Sequence, residues 1–238
     1  MSVEKLRMAI EKANRICVFT GAGISCPSGI PDFRSAEGLY SETDKSGYSP
    51  EEIISHSFFV KHNGLFYDFY KSKMMYPEAM PNKAHLYFSQ LEKQGKKVSV
   101  VTQNIDGLHQ AAGSENVLEL HGSILRAYCA KCRKIYPESI INKGNSVPRC
   151  GCGGVIRPDI VLYEEQLDED VLYKSVNLIR NADVLIIGGT SLNVYPAAGL
   201  INYYRGNKLV LVNLSQTPYD SEADLVINAK IGEVFSRI

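Results

Sequence analysis

Six short runs of consecutive apolar, mostly β-branched residues punctuate the chain: Ile16–Phe19, Val98–Thr102, Val117–Leu120, Val184–Ile187, Leu209–Val212 and Leu225–Ile227. They do not alternate polar with apolar, so each predicts a strand buried on both faces, as in a parallel sheet. Between them lie stretches with apolar residues three or four apart. Val3, Leu6, Ile10 and Ala13 form one such stripe, and the spacing predicts helices over Val3–Asn14, Ala84–Gln94, Glu169–Arg180 and Ala197–Tyr204. Strands alternating with helices predict a doubly wound α/β fold.

Two stretches break that rhythm. Residues 36–80 are rich in Tyr, Phe and Met and predict loop and helices with no strand of the main sheet. Residues 123–160 carry turn formers such as Asn142, Gly144, Asn145 and Pro148. Both are expected to be excursions that build a smaller lobe. At 238 residues the chain can bury a sizeable core. Its 26 basic and 26 acidic residues cancel, so no net field recruits nucleic acid or an anionic membrane. The N-terminal stripe is interrupted by charges, unlike a signal peptide, and no run reaches membrane-spanning length; the expected location is cytoplasmic.

Cysteine usage adds a metal. Cys17 and Cys26 are isolated, but Cys129-x2-Cys132 and Cys150-x-Cys152 form two knuckles seventeen residues apart. Four thiolates suit one tetrahedral Zn2+, and with every ligand place filled by protein the ion would be structural. Four unrelated buried thiols are the alternative. The segment is modestly basic (Arg126, Lys131, Arg133, Lys134, Lys143, Arg149) with only Tyr128 and Tyr136 interleaved, so direct nucleic-acid binding is not expected.

Candidate chemistry gathers where predicted strands end. Gly21 and Gly23 follow the first, in the context of a dinucleotide-binding turn, although two glycines after a strand also serve as a plain turn. Cys26 stands where the third glycine of that fingerprint belongs. Gly188-Gly189-Thr190-Ser191 repeats the arrangement after a later strand, and Asn213 ends another with an amide able to bond ribose hydroxyls. A dehydrogenase would place an acidic residue about 20 residues past the first glycines; that span here holds "SAEGLYSE" and no second strand. "VVTQNIDGLHQAAG" sets Gln103, Asn104 and Asp106 at a strand end, where one of them could be a helix cap but three exceed that need. His121 ends the next strand and is the candidate general base; His109, inside the helical stretch that follows Asp106, is the structural alternative.

Taken together, "GAGIS…SGIPDFR", "TQNIDGLH", "HG", the cysteine quartet, "GTSL…YPAA" and "VNL" resemble, in order, the motifs of the sirtuins, NAD-dependent protein-lysine deacylases, and look closest to the small bacterial type. The resemblance covers nearly the whole chain. It implies a Rossmann-like NAD-binding domain over 1–35, 81–122 and 161–238, a cofactor loop and helical module over 36–80, and a zinc-ribbon module over 123–160. It implies that Phe33 and Arg34 lie over the nicotinamide ribose. Gly21, Ala22, Gly23 and Cys26 would line the cofactor, Ile105 and Asp106 would grip the nicotinamide carboxamide, and Gln103 and Asn104 would hold the ribose and an ordered water. Gly189, Thr190, Ser191, Asn213, Leu214 and Ile231 would form the adenosine half. His121 would deprotonate a ribose hydroxyl after the acyl oxygen has attacked C1′, releasing nicotinamide, free lysine and O-acyl-ADP-ribose.

The same resemblance places an acetylated protein or peptide as an added strand between "IVLYEE" and "SLNVY", with Val161 on the acyl-lysine stem and Asn193 and Val194 along the backbone. Glu164 replaces a common glycine and Ser123 a common asparagine. Branches acting on acidic acyl groups pair a Tyr with an Arg three residues later; here Tyr67 meets Tyr70, and Tyr70 meets Lys73, so acetyl and other neutral acyl groups are expected. A mono-ADP-ribosyltransferase and a non-catalytic binding module are the competing readings.

Overall fold

The computed structural model describes residues 2–33, 38–39, 47–142, 144 and 147–238. In chain order its elements are α1 (Ser2–Lys12), β1 (Arg15–Thr20), α2 (Pro50–Ile53), α3 (His56–Lys61), α4 (Asn63–Phe69), α5 (Lys83–Lys93), β2 (Lys97–Thr102), α6 (Leu108–Ala111), β3 (Val117–Glu119), β4 (Gly122–Cys129), β5 (Ile135–Pro137), α7 (Ser139–Asn142), β6 (Ile156–Ile160), α8 (Glu169–Asn181), β7 (Val184–Gly188), β8 (Lys208–Val212), β9 (Leu225–Ile227) and α9 (Ile231–Phe235). All six expected main-sheet strands form. They build one parallel sheet in the order β3-β2-β1-β7-β8-β9, which reverses direction at β1, as in doubly wound nucleotide-binding sheets.

Burial on both faces follows from the period of two in each strand. Ile16 and Val18, Val98 and Val100, Val184 and Ile186, and Val210 and Val212 point into one core with Leu6, Ile10, Phe88 and Phe235 of the helices α1, α5 and α9. Cys17, Phe19, Val101, Leu185, Ile187, Leu209 and Leu211 point into the other, against Ile179 of α8 and Ala197, Ala198, Leu200 and Ile201. Three helical stretches match their expectation closely. The fourth, Ala197–Tyr203, is a 3-10 helix instead. It is seven residues long, begins behind Pro196 and contains Gly199, a composition that favours short tight turns over α-helix nucleation.

The excursions fill a third core. Phe58, Phe59, Phe66, Tyr67, Phe69 and Tyr70 of the helical segment pack against Ile124, Ala127, Ile156, Ile160 and Leu162. The cysteine-bearing segment supplies an antiparallel sheet in the order β5-β4-β6. Among the described residues, no helix is long and apolar enough to cross a membrane.

Candidate active site

Parallel register brings the chemistry to one edge. Thr20 lies level with Thr102 on one side and Gly188 on the other, and Gly188 with Val212. The next residue of each strand is Gly21, Gln103, Gly189 or Asn213, so four separated motifs share one row. The two glycine turns interlock there. A Cβ on Gly21 would stand 2.7 Å from Thr190 Cβ, and one on Gly23 would stand 2.8 Å from Gly189 Cα. Gly189 has φ 63, and a Cβ on it would meet the Ile24 amide nitrogen at 2.4 Å. Side chains are excluded because backbone touches backbone, and the Gly23 amide donates to the Gly189 carbonyl at 2.8 Å. Two 3-10 turns, Ala22–Ile24 and Cys26–Ser28, follow in place of the long helix of an ordinary dinucleotide turn.

Gln103 ties three strands together. Its amide donates to Thr20 O at 2.9 Å, its side chain donates to Thr190 Oγ1 at 3.0 Å, and its carbonyl faces His121 Nδ1 at 2.8 Å. A carbonyl only accepts, so Nδ1 carries the proton and Nε2 keeps its lone pair. Burial lowers the His121 pKa, with the Gln103 bond acting against it, so neutral imidazole is the resting form. His109 is sealed instead at 1% exposure, Nε2 against the Thr20 hydroxyl at 3.1 Å.

Asn104, 8% exposed, donates through Nδ2 to Ser25 Oγ at 3.0 Å and to Asp106 Oδ2 at 3.1 Å. The Ser25 hydroxyl donates to the same oxygen at 2.7 Å, while Oδ1 takes the Leu108 amide at 2.9 Å. Asp106 therefore turns the backbone onto Leu108, ahead of the Gly107 cap of α6, and is also a member of a polar cluster. Ser25 was passed over in the sequence; its place two residues beyond Gly23 was the available signal. Ile105 and Phe33 are half-buried and lean on the small-lobe core. Arg34 lies outside the described residues, as do Lys143 and Asn145. Cys26 is exposed, and its thiol pKa is raised by desolvation and then by the Asp32 carboxylate, so it stays protonated near neutrality.

On the other side of the reversal point, Thr190 is nearly buried and Ser191 half-buried. Asn213 donates its amide to Ser215 O at 2.8 Å, and Leu214 is 62% exposed. An amide beside an exposed apolar face is a donor set that fits a nucleoside. Ile231 is in the core, packed against Gly188, so its side chain does not face outward. Val161, half-buried, donates its amide to the His121 carbonyl at 2.9 Å. Asn193 is exposed and Val194 half-buried, next to Leu192 at φ 57.

Glu164 has φ 74, which accounts for glycine being the easier residue there; its carboxylate takes the Ser57 amide at 2.9 Å and hydroxyl at 3.0 Å, at the start of α3. Ser123 is fully buried and accepts from the Leu125 amide at 3.2 Å. Tyr67 and Tyr70 are also buried, the first donating to the Ile156 carbonyl, so both are core residues.

The four cysteines of the small lobe converge, all Sγ atoms within 4.8 Å of one another. Cys129 and Cys152 sulfurs are 3.5 Å apart, and Cys132 and Cys150 sulfurs 3.7 Å. A tetrahedral Zn2+ with bonds of about 2.3 Å needs sulfurs about 3.8 Å apart, so the set fits one zinc ion with no place left open. The Tyr136 hydroxyl donates to Cys150 Sγ at 3.0 Å.

Fold and site thus define a dinucleotide-binding α/β protein with an amide-rich reactive edge and a four-thiolate lobe. A family model described as the Sir2 family matches residues 21–196, and the chain belongs to that family. It is 54% identical to an NAD-dependent protein deacetylase of Clostridium perfringens (strain 13 / Type A), over 99% of this chain and 98% of that one. Another NAD-dependent protein deacetylase, from Staphylococcus aureus (strain NCTC 8325 / PS 47), is 45% identical over 95% and 93%. Among solved structures, a Sir2 protein with a p53 peptide and NAD+ superposes with a TM-score of 0.87 at 40% identity, covering 100% of this chain and 97% of that one. A Sir2 protein bound to acetylated peptide gives 0.86 at 37%, with the same coverage.

Proposed function

We propose that this chain is an NAD-dependent protein-lysine deacetylase that converts acetyl-lysine, NAD+ and water to lysine, nicotinamide and O-acetyl-ADP-ribose. The observation that carries the reading is the committed tautomer of His121. Its Nδ1 proton is held by Gln103 O, leaving Nε2 as a neutral base at the strand-end edge. NAD+ supplies the ribose carbon that takes up the acyl oxygen, together with nicotinamide as leaving group.

The chain's own residues divide the remaining work. Ile105 and Asp106, with Ser25 beside them, hold the carboxamide end, while Gln103 and Asn104 hold the ribose and an ordered water. Gly21, Ala22, Gly23 and Gly189 let the backbone approach the pyrophosphate, with Cys26 beside them. Thr190, Ser191, Asn213 and Leu214 take the adenosine half. Phe33, with Arg34, covers the ribose and excludes water that would hydrolyse the activated sugar. His121 Nε2 accepts a ribose hydroxyl proton, while Val161, Asn193 and Val194 guide the lysine stem and flanking peptide. Zinc in the Cys129, Cys132, Cys150 and Cys152 site would brace the small lobe and take no chemical part.

Mass spectrometry of an acetyl-peptide incubated with NAD+ tests the reading. Free lysine and O-acetyl-ADP-ribose should appear together, and His121→Ala should slow turnover by about 10²–10⁴. ADP-ribosylated protein without free lysine would favour transfer to another nucleophile. An unimpaired His121→Ala enzyme would remove the base assignment.

A further inference from the structure

One network built on a buried arginine has no part in the chemistry above, yet it borders the segment assigned to the acyl-lysine. The Glu165 carboxylate takes Arg157 Nη1 at 2.5 Å, Arg157 Nη2 at 2.8 Å, His56 Nδ1 at 2.7 Å and the Leu162 amide at 2.9 Å. The same Arg157 Nη2 donates to the Ile160 carbonyl at 2.9 Å. Arg157 is 5% exposed and its guanidinium carbon lies 5.2 Å from the Phe59 ring centroid. One fork therefore grips both ends of the path from Ile160 to Glu165.

Within that path the backbone is bonded to a different part of the molecule at each step. Val161 N donates to His121 O, Leu162 N to Glu165, and Tyr163 N to Ile54 O at 3.0 Å, while His56 N donates to Tyr163 O at 3.0 Å. Three pieces meet at one carboxylate: β6 of the cysteine lobe through Arg157, α3 through His56, and the crossing segment through Leu162. Burial alone would raise the Glu165 pKa, but the bonds from Arg157, Leu162 and His56 outweigh it and hold the pKa at about 2. The charge persists throughout the working pH range.

We propose that Glu165, clamped by Arg157, is a positioning residue that sets the acyl-lysine segment at Val161 against His121, and so governs affinity for the acylated peptide rather than for NAD+. This rests on the deacetylase reading. The dinucleotide turns leave β1, β7 and β8, and no bond of the clamp reaches them. Loss of the clamp should loosen Leu162 and, through Val161 N–His121 O, the peptide side of the base.

The test is steady-state kinetics with acetyl-peptide and NAD+ varied separately, with calorimetric NAD+ binding, on Glu165→Gln. Its KM for peptide should rise about tenfold, with NAD+ affinity within about twofold of the parent. Because Glu165→Gln strands a buried guanidinium, the paired Arg157→Met/Glu165→Leu variant, which removes both charges and keeps the volume apolar, is measured alongside and should show the same split. A folded variant of either kind with parental peptide KM, or with peptide KM and NAD+ affinity weakened equally, overturns the positioning role. A parent that fails to turn over the peptide at all overturns the deacetylase reading instead, and the inference with it.

Discussion

Two imidazoles beneath the reactive edge should make the fold acid-sensitive. His85 is fully buried, accepts from the Asn82 amide at 3.3 Å, and packs edge-on to His109 with centroids 4.8 Å apart. Burial, opposed in part by the Asp106 carboxylate, lowers the His85 pKa from 6.5 to about 4. His109 is likewise lowered by burial and then by His85. A folded pKa below the unfolded one means that the unfolded chain binds the proton first. The stabilisation is thus present above pH 6.5 and is lost as pH falls through about 4. For His85 the full difference is about 3 kcal/mol, of which about 1 kcal/mol disappears between about pH 7.5 and about pH 5.5.

Urea unfolding of the parent and of His85→Gln, followed by circular dichroism at several pH values in that window, reports His85 together with its effect on the neighbouring His109. Carboxylates and the cysteine site titrate in both proteins and cancel in the difference. The parent should lose about 1 kcal/mol more than the variant on acidification. Parallel stability curves would show that folding does not lower the His85 pKa and would refute the argument.

Other outcomes follow from the same geometry. Chelation of the metal from the Cys129, Cys132, Cys150 and Cys152 site should raise amide exchange across β4, β5 and β6, while β1, β7 and β8 keep their protection; uniform exchange would mean the lobe does not depend on the ion. Gly189→Ala forces a Cβ into the Ile24 amide at φ 63 and should cost about 1–3 kcal/mol in thermal unfolding, with weakened NAD+ binding; an unshifted melting curve would count against the interlock.

Much of this was legible beforehand, for identifiable reasons. Runs such as Val184–Ile187 announce central strands because burial on both faces leaves no polar positions. The placement of Gln103, Asn104 and His121 at one edge could be expected because strands of a parallel sheet end together. What escaped depends on contacts between distant segments. Ser25 looks like one more small residue until Asn104 and Asp106 arrive beside it. Glu165 reads as a solvated charge unless Arg157, three positions beyond the last zinc-lobe glycine, Gly154, is known to turn inward. Tyr67 and Tyr70 mark in the sequence only the place where a Tyr–Arg pair would stand; that both turn into the small-lobe core depends on packing against Ile156 and its neighbours, which the local sequence does not show. The Ala197–Tyr203 run kept helical periodicity while Pro196 and Gly199 tightened its pitch.

The interlocked glycines carry a consequence for biosynthesis. The surface offered by residues 21–23 is completed by residues 188–190, so it cannot exist while the ribosome has released only the first half of the polypeptide. A nascent chain must keep its earliest strand waiting for β7, and a truncated product ending before Gly189 would be blind to dinucleotide however well its opening segment had folded.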